Sequence, residues 1–468
     1  MAKKKEQVTP IDTAVQDNCT IHKFFNNEYV DFSKYVISTR ACPSLIDGFK
    51  VGARKVMHAA FNGAVKTGKA VKLLNLSGDT MKMSLYAHGD SSLNGTIISM
   101  AQDFNDNMHP LEIEGQYGSL RSQTASSPRY LYVKLSKYAN LVYKTDIDLV
   151  DYVFDEGEYL EPKYYLPIIP TVLTNRNIGL APGYRFYTMS YNPIDIIDGC
   201  LNHLNGKKIG TIRPYVKGIK ESNWEFYTPE EGQGYWINKG EWNYEVSKDK
   251  MHITDLPYDI EYDKFEKLLN KFCESGYIKD WFNYSEDDNI HYEIVFNKGE
   301  LKKEIGKKVD LYLPSKFKLI TKVPNDQLYV IDEHGKVRYF DSNIELIKYF
   351  VDFRLQKFED RKTRQLNLLN KKLEANSQLA KFIKLIISGK LKINNRPKAD
   401  IKVDMTVNEL PESLISTPIS KLTKEEYEAL LEENESIKSE IEYISKTTIK
   451  DMYINDLNTL KREIKKDF

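Results

Sequence analysis

The strongest constraint on this chain lies in its last quarter. From Ile344 onward apolar residues recur at three and four: Ile344, Ile347, Val351, Leu355, Phe358, then Leu366, Leu369 and Leu373. That period predicts one long helix running to a stop at Gly389. The sequence then passes through a Pro-containing stretch around Asn394–Pro418, read as loop, and restarts at Thr423. Thr423-Lys-Glu-Glu426 has the form of a capping box. Beyond it Tyr427, Leu430, Ile437, Ile441 and Ile444 take heptad a and d spacing, with Asn434 at one a position. Two long helices separated by a break fit an antiparallel coiled-coil hairpin. A plain structural stalk fits the same pattern equally well.

At 468 residues the chain is long enough for two to four domains. Its 67 basic and 67 acidic residues cancel, so any nucleic-acid surface must be a local patch. The longest apolar stretches, such as Tyr164–Pro170 and Phe382–Ile387, are too short to span a bilayer, so no membrane role is expected. The opening Met1-Ala-Lys-Lys-Lys-Glu has no apolar core after its charges and does not read as a secretory signal. Cys19, Cys42, Cys200 and Cys273 lie far apart, which argues against a zinc site or disulfide framework and fits a reducing, cytoplasmic setting.

The chain divides into four by character: a polar arm over 1–28, short helical patterns with Gly/Pro/Ser breaks over 29–135, an aromatic and β-branched region over 136–345, and the helical region over 346–468. This is an α+β multidomain pattern. Helices are expected over Arg54–Lys66, Ser91–Phe104 (capped by Asp90 or Ser91) and Asp263–Cys273. Strands are expected at Leu131–Leu135, within Trp224–Tyr244, and at Ile290–Phe296.

Several motifs fail on their chemistry. Gly63-Ala-Val-Lys-Thr-Gly68-Lys69-Ala70 nearly matches a phosphate-binding loop. However, Ala70 replaces the hydroxyl that would hold magnesium, and a helix pattern precedes it where a strand is needed. Asp146-Ile-Asp148 and Glu286-Asp-Asp288 lack the strand–helix–strand flanks of a metal-binding module, so no metal site is expected on this chain. His58, His109, His203 and His252 lack ligand spacing and read as structural.

Three segments in the first 135 residues combine phosphate-binding groups with a nucleophile. In the first, Arg40, Lys50, Arg54 and Lys55 fall within sixteen residues around the Asp47-Gly48 turn, as a phosphate-cradling loop needs. In the second, His88-Gly89-Asp90 precedes a helix, which puts the histidine near a positive dipole end. The third, Ser126-Ser-Pro128-Arg129-Tyr130-Leu-Tyr132, sets a phenol beside a guanidinium. A tyrosine with a pKa of about 10 attacks a phosphodiester only if a base takes its proton and cations stabilise the transition state. Arg129, Arg40 and Lys50 offer that charge, and His88 can hydrogen-bond or shuttle a proton. Arg-Tyr by itself fits equally a tyrosine that merely packs, one of 31 in the chain.

In order and spacing the segments resemble the cleavage region of type IIA DNA topoisomerases. Arg40–Lys50 resembles the family's Arg-x-x-Pro-x-x-x-Asp-Gly-x-Lys. His88–Asp90 followed by Thr96-Ile-Ile-Ser-Met-Ala-Gln102-Asp-Phe104 resembles its histidine-bearing helix. Gly115-Gln-Tyr-Gly-Ser119, Arg129-Tyr130, Leu166–Asn175, Gly179-Leu180-Ala-Pro-Gly183 and Met251–Pro257 resemble further family segments. The resemblance implies a winged-helix cleavage domain (29–135), a mixed α/β tower domain (136–345), and an antiparallel coiled coil ending in a dimer gate (346–468). It also implies roles: Tyr130 forms a 5′-phosphotyrosine, Arg129 and Arg40 steady the scissile phosphate, and His88 assists. Lys50, Arg54, Lys55 and Ser91 are placed on DNA, with Ser91 where gyrase-type helices meet DNA and quinolones, and Leu180 as an intercalating wedge.

There are departures. Tyr86 or Ala87 stands where many relatives have a second histidine, Val51 replaces the usual Pro after Lys50, and Gly95 replaces an acidic residue. These bear on drug response more than on catalysis. The chain shows no ATPase or TOPRIM motif. The resemblance therefore implies Mg²⁺ and ATP bound mainly on a separate partner chain, in an A2B2-type complex built on a homodimer, as in the separate cleavage chain of T-even-type bacteriophages. The expected setting is then a host cytoplasm. Two alternatives compete: a non-catalytic winged-helix DNA-binding scaffold, and a tyrosine recombinase. The latter needs His-x-x-Arg, which none of the eight histidines begins.

Overall fold

The computed structural model describes residues 21–286, 289–306, 311–393 and 396–468. Residues 1–20 of the expected arm, with Cys19, lie outside these; its remainder is helical. Helix α1 (Ile21–Phe24), a wide turn at Phe25–Tyr29, α2 (Val30–Val36) and a second wide turn at Ile37–Ala41 form one helical run.

Three helices follow, α3 (Val51–Asn62), α4 (Leu73–Ser84) and α5 (Asp90–Ser99), beside a small antiparallel sheet. Its strands β1 (Val71–Lys72), β2 (Leu111–Glu114) and β3 (Tyr132–Leu135) lie in the order β1-β3-β2, with Val133 opposite both Val71 and Ile113. Helix α3 stops at Asn62, short of the expected Lys66. Gly63 donates back to the Ala59 carbonyl, and a Cβ there would lie 2.6 Å from that oxygen and from Asp79. Helix α5 ends at Ser99 rather than Phe104, and its cap position is Gly89, whose φ of +82° neither Asp90 nor Ser91 supplies.

Two hairpins come next, β4 (Tyr152–Asp155) with β5 (Glu158–Pro162) and β6 (Asn177–Ala181) with β7 (Tyr184–Thr188). Helix α6 (Pro193–Leu204) begins where the Asn192 side chain accepts from Ile194 N–H. Strands β8 (Trp224–Tyr227), β9 (Tyr235–Lys239), β10 (Glu241–Glu245), β11 (Lys250–Asp255), β12 (Asp280–Asn283), β13 (Tyr292–Val295) and β14 (Ile320–Pro324) make two sheets, ordered β14-β9-β8 and β10-β11-β13-β12. The four-stranded sheet buries Met251, Ile253, Tyr292 and Ile294 against Phe265 and Leu269 of α7 (Tyr262–Glu274), and against Leu301 of α8 (Glu300–Ile305) and Leu313 of α9 (Tyr312–Lys316).

A hairpin of β15 (Leu328–Ile331) and β16 (Val337–Phe340) leads into α10 (Asn343–Ile387), whose 45 residues span roughly 68 Å at 1.5 Å each. Ser342 caps its start, accepting from Glu345 N–H, and Gly389 at φ +73° follows its end. The stretch expected to be loop contains helix α11 (Lys398–Val407), which buries Ile401 and Met405 against Phe382. Helix α12 (Lys424–Lys446) starts at Thr423, whose hydroxyl accepts from Glu426 N–H at 3.2 Å. It returns antiparallel to α10: Leu430 packs on Ile383, Lys372 pairs with Glu433, and Lys362 reaches the Ser445 carbonyl. Leu430, Asn434, Ile437 and Ile444 are buried, as the heptad pattern requires.

The last helix, α13 (Ile449–Ile464), differs from a stalk that simply ends. It folds back onto the body, where Tyr453, Leu457 and Leu460 are buried and the Tyr453 hydroxyl donates to Ile168 O at 2.8 Å. The packing also ignores the divisions at 135 and 345. One core runs from Leu45 through Tyr165, Ile196 and Trp224 to Leu328, Ile347 and Leu457, and residues 251–319 form a separate cluster beside it. No helix of the described residues is long and apolar enough to cross a membrane.

Candidate functional site

A cavity of about 1190 Å³ opens between the Ile37–Ala41 turn, the start of α3, the turn before α5 and the chain entering β6. Arg40, Lys50, Lys55 and His88 line it, with Tyr35 and Asp106. Arg40 is exposed, its Nη2 3.4 Å from His88 Nδ1 and its guanidinium carbon 5.5 Å from the centre of the Tyr35 ring. The Tyr35 hydroxyl lies 3.1 Å from His88 Nε2, and the Tyr86 ring stands edge-on to the imidazole at 5.5 Å. Ser91, exposed in the first turn of α5, sits at the same end of that helix. Lys50 Nζ donates to Ile178 O at 2.8 Å; burial lowers its pKa from the ordinary 10.5. Burial also holds the Asp106 carboxyl well above its ordinary range, which works against a negative charge at that wall.

Two of the four expected phosphate ligands are engaged elsewhere. Arg54 is buried: its Nε and Nη2 donate to Asp47 at 2.7 and 3.0 Å, and Nη2 also to Phe49 O. Asp47 in turn accepts from the backbone N–H of Phe49 and Tyr165, so the pair fixes the turn from inside rather than facing a ligand. Gly48 completes that turn at φ +70°, where a Cβ would lie 2.7 Å from the Val172 nitrogen. Lys55 borders the cavity, but its ammonium is held by Glu161 at 3.0 Å and by the Ser84 carbonyl.

Of the acidic pairs set aside as metal ligands, Asp146 and Asp148 are spent on arginines. Asp146 pairs with Arg354 and Arg361, and Asp148 with Arg364, all on α10. Asp287 and Asp288 lie outside the described residues. Among the described residues no three His, Cys, Asp or Glu groups converge as for a metal ion.

Tyr130 closes the short helical turn Pro128–Tyr130 that feeds β3. Alternation along this segment buries Leu131 completely and leaves Tyr130 68% and Tyr132 40% exposed. The Arg129 guanidinium carbon lies 6.0 Å from the centre of the Tyr130 ring. Neither residue lines the cavity that holds Arg40 and His88. Leu180 is 71% exposed near the tip of the β6–β7 hairpin, which turns at Gly183 with φ +77°. The hairpin is clamped at its root: a Cβ on Gly179 would lie 1.9 Å from the Ala41 carbonyl oxygen, and the neighbouring Ile178 carbonyl receives Lys50.

Sequence reasoning missed Tyr35, which no motif marks. Its approach to His88 spans 53 positions and starts from α2, one turn before the segment that carries Arg40.

Residues 40–460 match the family model for the DNA gyrase/topoisomerase IV A subunit. DNA topoisomerase 2 of Arabidopsis thaliana is 28% identical, with 96% of this chain and 34% of that protein covered. A mitochondrial DNA topoisomerase 2 of Dictyostelium discoideum is 30% identical, over 99% of the chain and 36% of that protein. The DNA topoisomerase medium subunit of Enterobacteria phage T4 is 28% identical, over 95% of the chain and 99% of the phage protein. The chain thus spans about a third of the first two relatives and nearly all of the phage one. Among solved structures, the DNA-binding, cleavage and re-ligation domain of Plasmodium falciparum topoisomerase II superposes with a TM-score of 0.84 at 26% identity, covering 95% of this chain and 64% of that one.

Proposed function

The chain belongs to the family of DNA gyrase/topoisomerase IV A subunits, and from that membership we propose that it is the DNA-cleaving and religating component of an ATP-dependent type II topoisomerase. The observation that carries the proposal is Tyr130, an exposed phenol beside the Arg129 guanidinium at the mouth of β3, inside the family-matched region. The Tyr130 oxygen attacks a backbone phosphorus, the P–O3′ bond breaks, the phenolic proton leaves to a base, and the departing 3′ oxygen gains a proton. A 5′-phosphotyrosine results, and the reverse attack by the 3′ hydroxyl reseals the strand. Arg129, Arg40 and Lys50 act as the charge partners of the pentavalent transition state, with His88 assisting from beside Arg40. Ser91 lies on the DNA path, and Leu180 is the wedge between base steps. Arg54 has no place in that set, and Lys55 serves it only through the cavity wall.

Helices α3–α5 with the β1-β3-β2 sheet act as a winged helix, and the sheets built from β8 to β14 as the tower. Helices α10 and α12 serve as a coiled coil, with the α11 end as a dimer gate. The nucleophile and the Arg40–His88 cavity lie apart within one chain, which supports a homodimer whose composite site sets Tyr130 of one copy against the cations of the other. Arg40 and Lys50 suit phosphate and do not fit a magnesium ion. We therefore assign Mg²⁺ and ATP to a separate ATPase/TOPRIM chain; the medium-subunit name of the phage relative supports that division. The assembly works on double-stranded DNA, in the host cytoplasm if the chain is viral. The purified chain with such a partner, Mg²⁺ and supercoiled DNA should give protein-linked breaks on denaturation, and the chain alone none. DNA binding without breaks in the full mixture would favour the scaffold reading.

A further inference from the structure

We infer that Tyr35 is a positioning residue for His88: with Arg40 it holds the imidazole in the Nε2–H form and offers its own hydroxyl proton to a DNA phosphate. The inference rests on the reading of the cavity given above. A guanidinium carries only donors, so Arg40 Nη2, 3.4 Å from His88 Nδ1, can bond it only through a bare lone pair. With Nδ1 accepting, the ring proton of the neutral imidazole sits on Nε2. That nitrogen lies 3.1 Å from the Tyr35 oxygen, so Nε2–H donates and the phenol accepts. The Tyr35 hydrogen is then left free to point away from the ring. Tyr35 is 41% exposed and borders the cavity, and no other hydrogen bond occupies its hydroxyl among the described residues.

The chain Arg40–His88–Tyr35 therefore ends in a donor, and each member polarises the next. It also settles which of two roles His88 can take. With Arg40 on Nδ1 and a proton on Nε2, the imidazole has no vacant lone pair and serves as a hydrogen-bond relay rather than as the base that takes the Tyr130 proton. The Arg40 guanidinium over the Tyr35 ring holds the third side of the arrangement.

Tyr35→Phe removes the hydroxyl and keeps the ring. Nitrogen NMR of the full chain with labelled histidines, with the His88 signal assigned by its loss in His88→Ala, reads the tautomer directly. The wild type should show protonated Nε2, and Tyr35→Phe should shift the His88 ring signals. In the complex with the partner chain, cleavage by Tyr35→Phe should fall about fivefold, the scale of one neutral hydrogen bond, with DNA affinity within twofold. In the His88→Ala background the same change should cost clearly less, because the hydroxyl there has already lost the imidazole that orients and polarises it. A proton on Nδ1, ring signals unmoved by Tyr35→Phe, or an equal loss in both backgrounds would overturn the inference. Full cleavage by His88→Ala would overturn the catalytic reading of the cavity, and with it the relay's role, even where NMR upholds the contact.

Discussion

Arg40 and Arg54 belong to one sequence motif and do different work. Arg40 faces a cavity, whereas Arg54 is buried against Asp47, whose carboxylate also gathers two backbone N–H groups. Arg54→Ala strands that carboxylate in the interior, and denaturant unfolding should show a loss of about 3–5 kcal/mol. Arg40→Ala should leave stability within about 0.5 kcal/mol while cutting cleavage by about 10²–10³. Near-parental stability in Arg54→Ala would show that its ion pair does not hold the turn. Charge spacing marks both arginines alike, because a one-dimensional motif cannot say which side of a turn faces inward. Leu180 is the opposite case: its apolar side chain is left in water at a hairpin tip. Leu180→Ala should leave DNA affinity nearly unchanged, since phosphate contacts dominate it. Bending, read by end-to-end fluorescence transfer, should fall together with cleavage, and normal bending would exclude the wedge.

Elements with a local period are legible in the sequence. Helices α10 and α12 carry apolar repeats, and the Gly389 stop after α10 and the Thr423 cap before α12 are both marked in the residues themselves. Contacts across long separations leave no such mark. Strand β14 pairs with β9, joining Ile320 to Lys239, and α13 returns to the body through Tyr453. Helix α11 does not declare itself, because flanking prolines outweigh the short Ile401–Met405 spacing. One of these long-range joints predicts a pH response. Asp326, between β14 and β15, is partly buried and accepts from Tyr191 Oη and Met189 N–H; desolvation pushes its pKa from 3.8 up to about 6. A raised folded-state value means that its contribution to stability is complete below about pH 4 and lost as pH rises through 6. Wild-type stability relative to Asp326→Asn should therefore fall by up to about 3 kcal/mol between pH 4 and 7. Parallel pH profiles for the two chains would contradict this.

At the scale of the whole molecule, the fold leaves Tyr130 and Arg129 outside the cationic cavity of their own chain. Strand cleavage on this account needs two copies, and sedimentation at micromolar concentration should show a two-fold dimer; a monomer there would count against the composite site. The same account requires the partner chain for cutting, and efficient strand passage by the single chain would contradict it. The most direct test is the covalent bond itself. Wild-type chain, partner, Mg²⁺ and DNA are mixed, trapped with denaturant and digested, and the DNA-linked peptide is sequenced. The adduct should fall on Tyr130 through a 5′-phosphate and vanish in Tyr130→Phe, while folding, dimerisation and DNA binding persist. Tyr132, exposed two residues further along, is the internal control. An adduct on Tyr132, or cleavage surviving in Tyr130→Phe, would contradict the assignment of the nucleophile.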